Sequence, residues 1–131
     1  MRHIFPAICC IALLTTACKK TNPTITTLDG TYTGTFQRQQ GGGGQVSQVS
    51  LTFSGNHWTG TSQYPKYPAL CNGTYAISAS HKITFANSCP WTAEFDWSLI
   101  LSHEYELSVT GNDVEMVRTT SLYRDVYSLS K

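Results

Sequence analysis

Cys71-Asn72-Gly73-Thr74-Tyr75-Ala76-Ile77-Ser78-Ala79-Ser80-His81-Lys82-Ile83-Thr84-Phe85-Ala86-Asn87-Ser88-Cys89 is the stretch that decides the fold. Its apolar residues recur at every second position on both sides of a polar centre, the pattern of two strands with one buried face. Folded as a hairpin about Ser80, it sets Ile77 opposite Ile83, Tyr75 opposite Phe85, Gly73 opposite Asn87 and Cys71 opposite Cys89. Directly opposed residues bring their Cβ atoms to ~4.5–5.5 Å, so small adjustments reach disulfide geometry. The apolar register and the sulfur register therefore agree independently. A Cys71–Cys89 disulfide is expected, worth roughly 3 kcal/mol in the chain-entropy model. The alternative is two free buried thiols.

The same alternation runs outward in both directions. Tyr32, Gly34 and Phe36 share a face, Arg38 to Gln45 with its four glycines is expected to be a loop, and Val49, Leu51 and Phe53 share the next face. Ser54-Gly55-Asn56-His57 turns the chain toward Trp58, and Pro65 and Pro68 bracket a stretch that cannot be central strand, because proline has no ladder N–H. Downstream, Phe95, Trp97, Leu99, Leu101, His103, Tyr105, Leu107 and Val109 keep one parity. They predict one strongly bent strand, or two meeting near Ser102-His103. Thr110-Gly111-Asn112-Asp113 is a tight turn pairing Val109 with Val114, Leu107 with Met116 and Tyr105 with Arg118. Leu122 to Leu129 is the expected last strand, and no segment shows a helical period.

Composition agrees. Ser and Thr number 31 and aromatics 15, whereas only 13% of the 131 residues are charged, about half the usual share. Strand formers on this scale exclude a helical bundle, and a net charge of +1 offers no field for a nucleic acid. The expected fold is all-β: about eight antiparallel strands in hairpin order, closed as a small up-and-down barrel that leaves no sheet edge exposed.

The first residues carry an address. Ile4 to Leu14 is an apolar run too short for a bilayer span and suited to a signal-peptide core. Thr15-Thr16-Ala17-Cys18 resembles a bacterial lipobox, with Thr15 where Leu is usual; the resemblance implies cleavage before Cys18 and lipid on that cysteine. The alternative is an ordinary secretory peptide cleaved nearby. The expected organisation is a signal peptide over 1–17, a polar tether over 18–28 and a barrel over 29–131. In an oxidising compartment the remaining even pair, Cys71 and Cys89, persists as a disulfide. Lys19 and Lys20 follow Cys18 in place of an acidic run, which leans toward the periplasmic face of an outer membrane.

Leu28-Asp29-Gly30-Thr31-Tyr32, Gly73-Thr74-Tyr75-Ala76-Ile77 with Ile83-Thr84-Phe85, the Trp97…Ile100-Leu101…Tyr105 segment and the closing Tyr127-Ser128-Leu129-Ser130-Lys131 resemble the small lipocalin-like lipoproteins of Bacteroidetes-type bacteria. The resemblance covers about residues 28–131 and implies the lipocalin-like barrel. Tyr32 stands where lipocalins have Trp, and the shorter chain implies a shallow or filled pocket.

Chemistry is sparse. His57, His81 and His103 lack metal-ligand spacing, so neither a metal nor another cofactor is expected. His57 and His81 fall in turns, and His103 is either a barrel-end histidine or a polar handle beside Tyr105. Glu94 with Asp96, and Glu104 with Glu106, point in pairs toward a wet face, where nothing would tune them for acid–base work. No serine sits in G-x-S-x-G, and Gly41–Gly44 lacks the Lys and helix of a phosphate loop.

Trp58, Tyr75, Phe85, Trp97, His103 and Tyr105 are the candidate ligand-binding set, placed on inward faces. Core filling is the plainer role for the rings. Tyr64, Tyr67 and Trp91 lie in loops and could form a protein-binding rim. The expectation is a lipid-anchored, non-catalytic envelope barrel that binds a small hydrophobic ligand. A protein-interaction module, such as an accessory subunit or a lysozyme-inhibitor-like barrel, is the alternative, and an enzyme the remote one.

Overall fold

The Cys71–Cys89 stretch forms the hairpin its residues dictate. β4 (Asn72–Ile77) and β5 (Lys82–Asn87) pair antiparallel with Ile77 on Ile83, Tyr75 on Phe85 and Gly73 on Asn87, and the Cys71–Cys89 disulfide spans a Cα–Cα distance of 6.3 Å at its head. The computed structural model describes residues 24–131; the expected signal peptide, Cys18 and its lipid, and most of the tether lie outside the described residues.

The remaining strands are β1 (Gly30–Gln39), β2 (Val46–Ser54), β3 (His57–Ser62), β6 (Glu104–Thr110), β7 (Asp113–Thr119) and β8 (Arg124–Ser130). Each pairs antiparallel with the next, and β8 returns to β1, so the sheet closes as an up-and-down barrel of eight strands. The Gly111 turn sets Val109 on Val114 and Leu107 on Met116, as the residues predict; the ladder ends at Glu106↔Val117, one pair short of Tyr105 and Arg118.

One end of the barrel carries short turns and the other long loops. Ser54–His57, Ile77–Lys82 and Thr110–Asp113 close the turn end, where the chain also enters. Gln39–Val46, Ser62–Asn72, Asn87–Glu104 and Thr119–Arg124 crowd the loop end. Leu28, the last residue expected in the tether, is instead 3% exposed. Its N–H donates to the Tyr75 hydroxyl at 2.9 Å, and that hydroxyl donates to the Gly55 carbonyl at 2.7 Å. The entering chain thereby stoppers the turn end.

Inward parity fills the interior with rings. Phe53 meets Tyr32, Tyr75 and Phe85 at centroid distances of 5.8, 5.1 and 6.4 Å; Phe85 meets Trp58 and Tyr105; and Tyr105 and Phe36 both meet Tyr127. Such pairs contribute about 0.5–1.5 kcal/mol each beyond their burial. The chain of contacts runs from the turn end to the mouth, as an eight-stranded barrel just wide enough for its side chains requires. Threonines of β1 take the outward parity: Thr31 lies against Thr52, and Thr33 stands between Ser50 and Ser130.

Three expectations fail at the loop end. β1 continues through Arg38 to Gln39, so Arg38 is buried wall and not the start of a loop. β8 starts at Arg124, and Leu122 is 77% exposed. The alternation from Phe95 does not make a strand: Trp97–Leu99 is one 3₁₀ turn, started by the Asp96 carboxylate accepting from the Ser98 N–H at 2.9 Å, and β6 begins only at Glu104.

Candidate functional site

The segment from Ser88 to His103 leaves β5, crosses the mouth and returns as β6. Its inner side is apolar, with Ile100 and Leu101 buried, and it is stitched to the neighbouring loop by Ala69 N–H donating to the Leu99 carbonyl at 2.9 Å and Leu101 N–H to the Ala69 carbonyl at 3.2 Å. Its outer side is tied by Lys66, which bonds Glu94 and lies 5.0 Å over the Phe95 ring. The mouth is lidded.

Arg38 holds the lid to the wall. Its Nε and Nη2 donate to the two Asp125 oxygens, Nη1 donates to Asp96 at 3.1 Å and Ser98 Oγ at 2.7 Å, and Nη2 donates also to the Ser98 carbonyl at 3.1 Å. A guanidinium has five N–H groups, and all five are used. The Tyr123 ring covers its flat side at 3.7 Å. Burial works against the charge, but the hydrogen-bonded Asp125 carboxylate outweighs it and raises the pKa above the ordinary arginine value. Sequence reading missed this cluster, although parity held the signal: Arg38 follows Tyr32, Gly34 and Phe36, and Asp125 precedes Tyr127 and Leu129.

Of the six expected ligand-binding residues, the structure gathers four in the core. Trp58, Tyr75, Phe85 and Tyr105 are each 5% exposed or less and pack on one another or on Phe53. They belong to the aromatic core. Trp97 is placed wrongly by parity: it sits on the lid, 54% exposed, because the 3₁₀ turn rotates it out of the alternation. His103 is partly buried at the lid's return, with a buried Nε2 that has no hydrogen-bond partner. Burial lowers its pKa, Arg118 and Arg38 add to that, and Asp125 opposes them.

Trp97 instead joins Trp91 around an open surface cleft of about 410 Å³, lined also by Asn87, Cys89, Pro90, Ile100 and Ser102. The cleft opens where the β5–β6 ladder stops, three residue pairs after it starts, between Thr84 and Glu104. No known protein family, curated protein or solved structure matches this chain. The chemistry of the loop end must therefore be read from its own residues.

Glu94 and Asp96 are not set for acid catalysis, which needs a raised pKa. The Lys66 ammonium, with Thr92, holds Glu94 down at about 2, and Ser98 lowers Asp96. His57 and His81 are exposed. Among the described residues no three His, Cys, Asp or Glu side chains converge as metal ligands.

Proposed function

We propose that this is a non-catalytic binding barrel, held in the cell envelope through lipid on Cys18, that meets its partner with its loop end. The observation that carries the reading is the exchange of places between rings. Tyr32, Phe53, Tyr75, Phe85, Tyr105 and Tyr127 fill the axis, and the Trp91–Trp97 pair stands outside around an open cleft. A small hydrophobic ligand inside the barrel would have to displace packed core, whereas a partner at the loop end finds its surface ready made. Leu28 enters at the turn end; a lipid on Cys18 would then hold the protein from the end opposite the lid and leave the lid projecting away from the membrane.

The test is photocrosslinking in intact cells of the source organism, with a benzophenone amino acid at Thr92 on the lid, Thr33 on the wall or Asn112 at the turn end. The expected result is a discrete adduct from position 92 alone. Adducts from all three positions, or none from position 92, overturn the reading.

A further inference from the structure

Trp91 Nε1 donates to Asn87 Oδ1 at 3.3 Å, and Trp97 Nε1 donates to the Thr92 carbonyl at 2.8 Å. An indole has one hydrogen-bonding group, so both rings have spent their polar edges on the protein and offer a cleft occupant only apolar surface. Phe95 braces Trp91 edge to face at 5.7 Å, and the disulfide fixes the chain at Cys89. The Trp91 wall of the cleft is thereby braced.

The rest of the lining is uncharged: Asn87, Cys89, Pro90, Ile100 and Ser102. Nearby Lys66 and Glu94 neutralise one another. Asn87 gives one amide N–H to the Cys89 carbonyl at 2.6 Å, and the amide carries a second; Ser102 adds a hydroxyl. A matching ligand is neutral, has a ring-sized apolar face and bears hydroxyls around its rim.

Two other ligand classes match less well. An acyl chain in this open cleft would keep one side in water and press the other on amide and hydroxyl groups it cannot satisfy. An extended peptide gains its affinity by lengthening a sheet edge. Here Phe85 N–H is already bonded to the His103 carbonyl, so the uncovered edge of β5 is only its last residues, Ala86 and Asn87. A pyranose meets both demands, since its axial C–H groups stack on an indole while its equatorial hydroxyls reach polar neighbours. The volume lies within the ~300–1,000 Å³ of small-molecule sites.

We propose that the cleft is a subsite for a neutral sugar ring. Trp97 is the stacking platform, Trp91 the second wall, and Asn87 and Ser102 the hydroxyl partners. The proposal rests on the loop-end reading above and names the chemistry of the partner.

The chain has three tryptophans, and the third, Trp58, is buried with Nε1 on the Ala86 carbonyl, so the indole N–H signals report cleft and core separately. The experiment titrates ¹⁵N-labelled protein with neutral oligosaccharides of glucose, galactose, mannose and N-acetylglucosamine. For at least one of them the Trp91 and Trp97 signals shift saturably while Trp58 stays in place. Trp97→Ala weakens the Trp91 response about tenfold or more, equivalent to ~1.4 kcal/mol, and Trp97→Phe recovers part of it; an unmoved Trp58 signal shows that each variant is folded. The proposal is overturned if no oligosaccharide moves Trp91 or Trp97, if Trp97→Ala binds as well as the parent, or if only peptides shift the signals. Failure of every sugar while position 92 still crosslinks removes the sugar and keeps the loop-end reading. Failure of both removes both.

Discussion

Arg38 and Asp125 are direct cross-strand neighbours on β1 and β8, joined by two hydrogen bonds of 2.7 and 2.8 Å at the seam that closes the barrel. They are 7% and 1% exposed. A buried charge is tolerable only while its partner stays.

Asp125→Asn is expected to destabilise the barrel by about 3–5 kcal/mol, because the arginine is left buried and under-compensated. The double variant Arg38→Met with Asp125→Leu recovers most of that loss, as apolar replacements of buried pairs commonly do. Urea unfolding of the three proteins checks both statements. A loss in the single variant below about 1 kcal/mol would place the pair among surface-like contacts.

Gly34 and Gly73 are inward positions where strands press close. A Cβ at Gly34 would lie 1.9 Å from the Ser128 carbonyl oxygen, and one at Gly73 would lie 1.8 Å from that of Ala86. Gly34→Ala and Gly73→Ala each cost about 3 kcal/mol or more, the upper range for overpacking. Gly43→Ala, with nothing within 4 Å, stays within about 0.5 kcal/mol of the parent. Thermal melts of the three variants separate the two classes.

Cys71 and Cys89 are 18 residues apart in sequence. Replacing both with Ser removes roughly 3 kcal/mol through the freed unfolded chain. The rings of the hairpin still pack, so the double variant keeps its barrel signature in circular dichroism while its urea midpoint falls. Loss of the fold at low denaturant would mean that the disulfide, and not the apolar register, holds the hairpin.

His103 makes stability depend on pH. Burial lowers its folded pKa below the ordinary 6.5, so between the two values the unfolded chain binds the proton more tightly. The stabilisation is present above about 6.5 and is lost as pH falls through the folded value. Urea midpoints from about pH 8 to 5 therefore decline in the parent and flatten in His103→Gln. Equal slopes in the two proteins would assign the decline to other groups.

The hairpin about Ser80 and the Gly111 turn were legible because each strand buries one face, and a slip of one residue would turn every ring outward. The same parity rule failed at Trp97. There, odd-numbered apolar residues continue through a segment whose backbone is a 3₁₀ turn, set by Asp96 bonding the Ser98 N–H. Parity says which residues share a face only where a ladder exists, and no ladder runs from Phe95 to His103. The Arg38–Asp125 pair is the converse case. Both residues keep inward parity, and Asp125 falls within the expected last strand, but charge made Arg38 look like the start of a loop, since much of what makes its burial tolerable comes from Asp96 and Ser98, on a distant segment.

The decisive measurement is native mass spectrometry of the protein purified from its source organism. The expected result is a protein without any apolar small molecule inside the barrel, because the Phe53, Phe85 and Tyr127 rings occupy that space. A stoichiometric hydrophobic adduct that survives Trp97→Ala would contradict it.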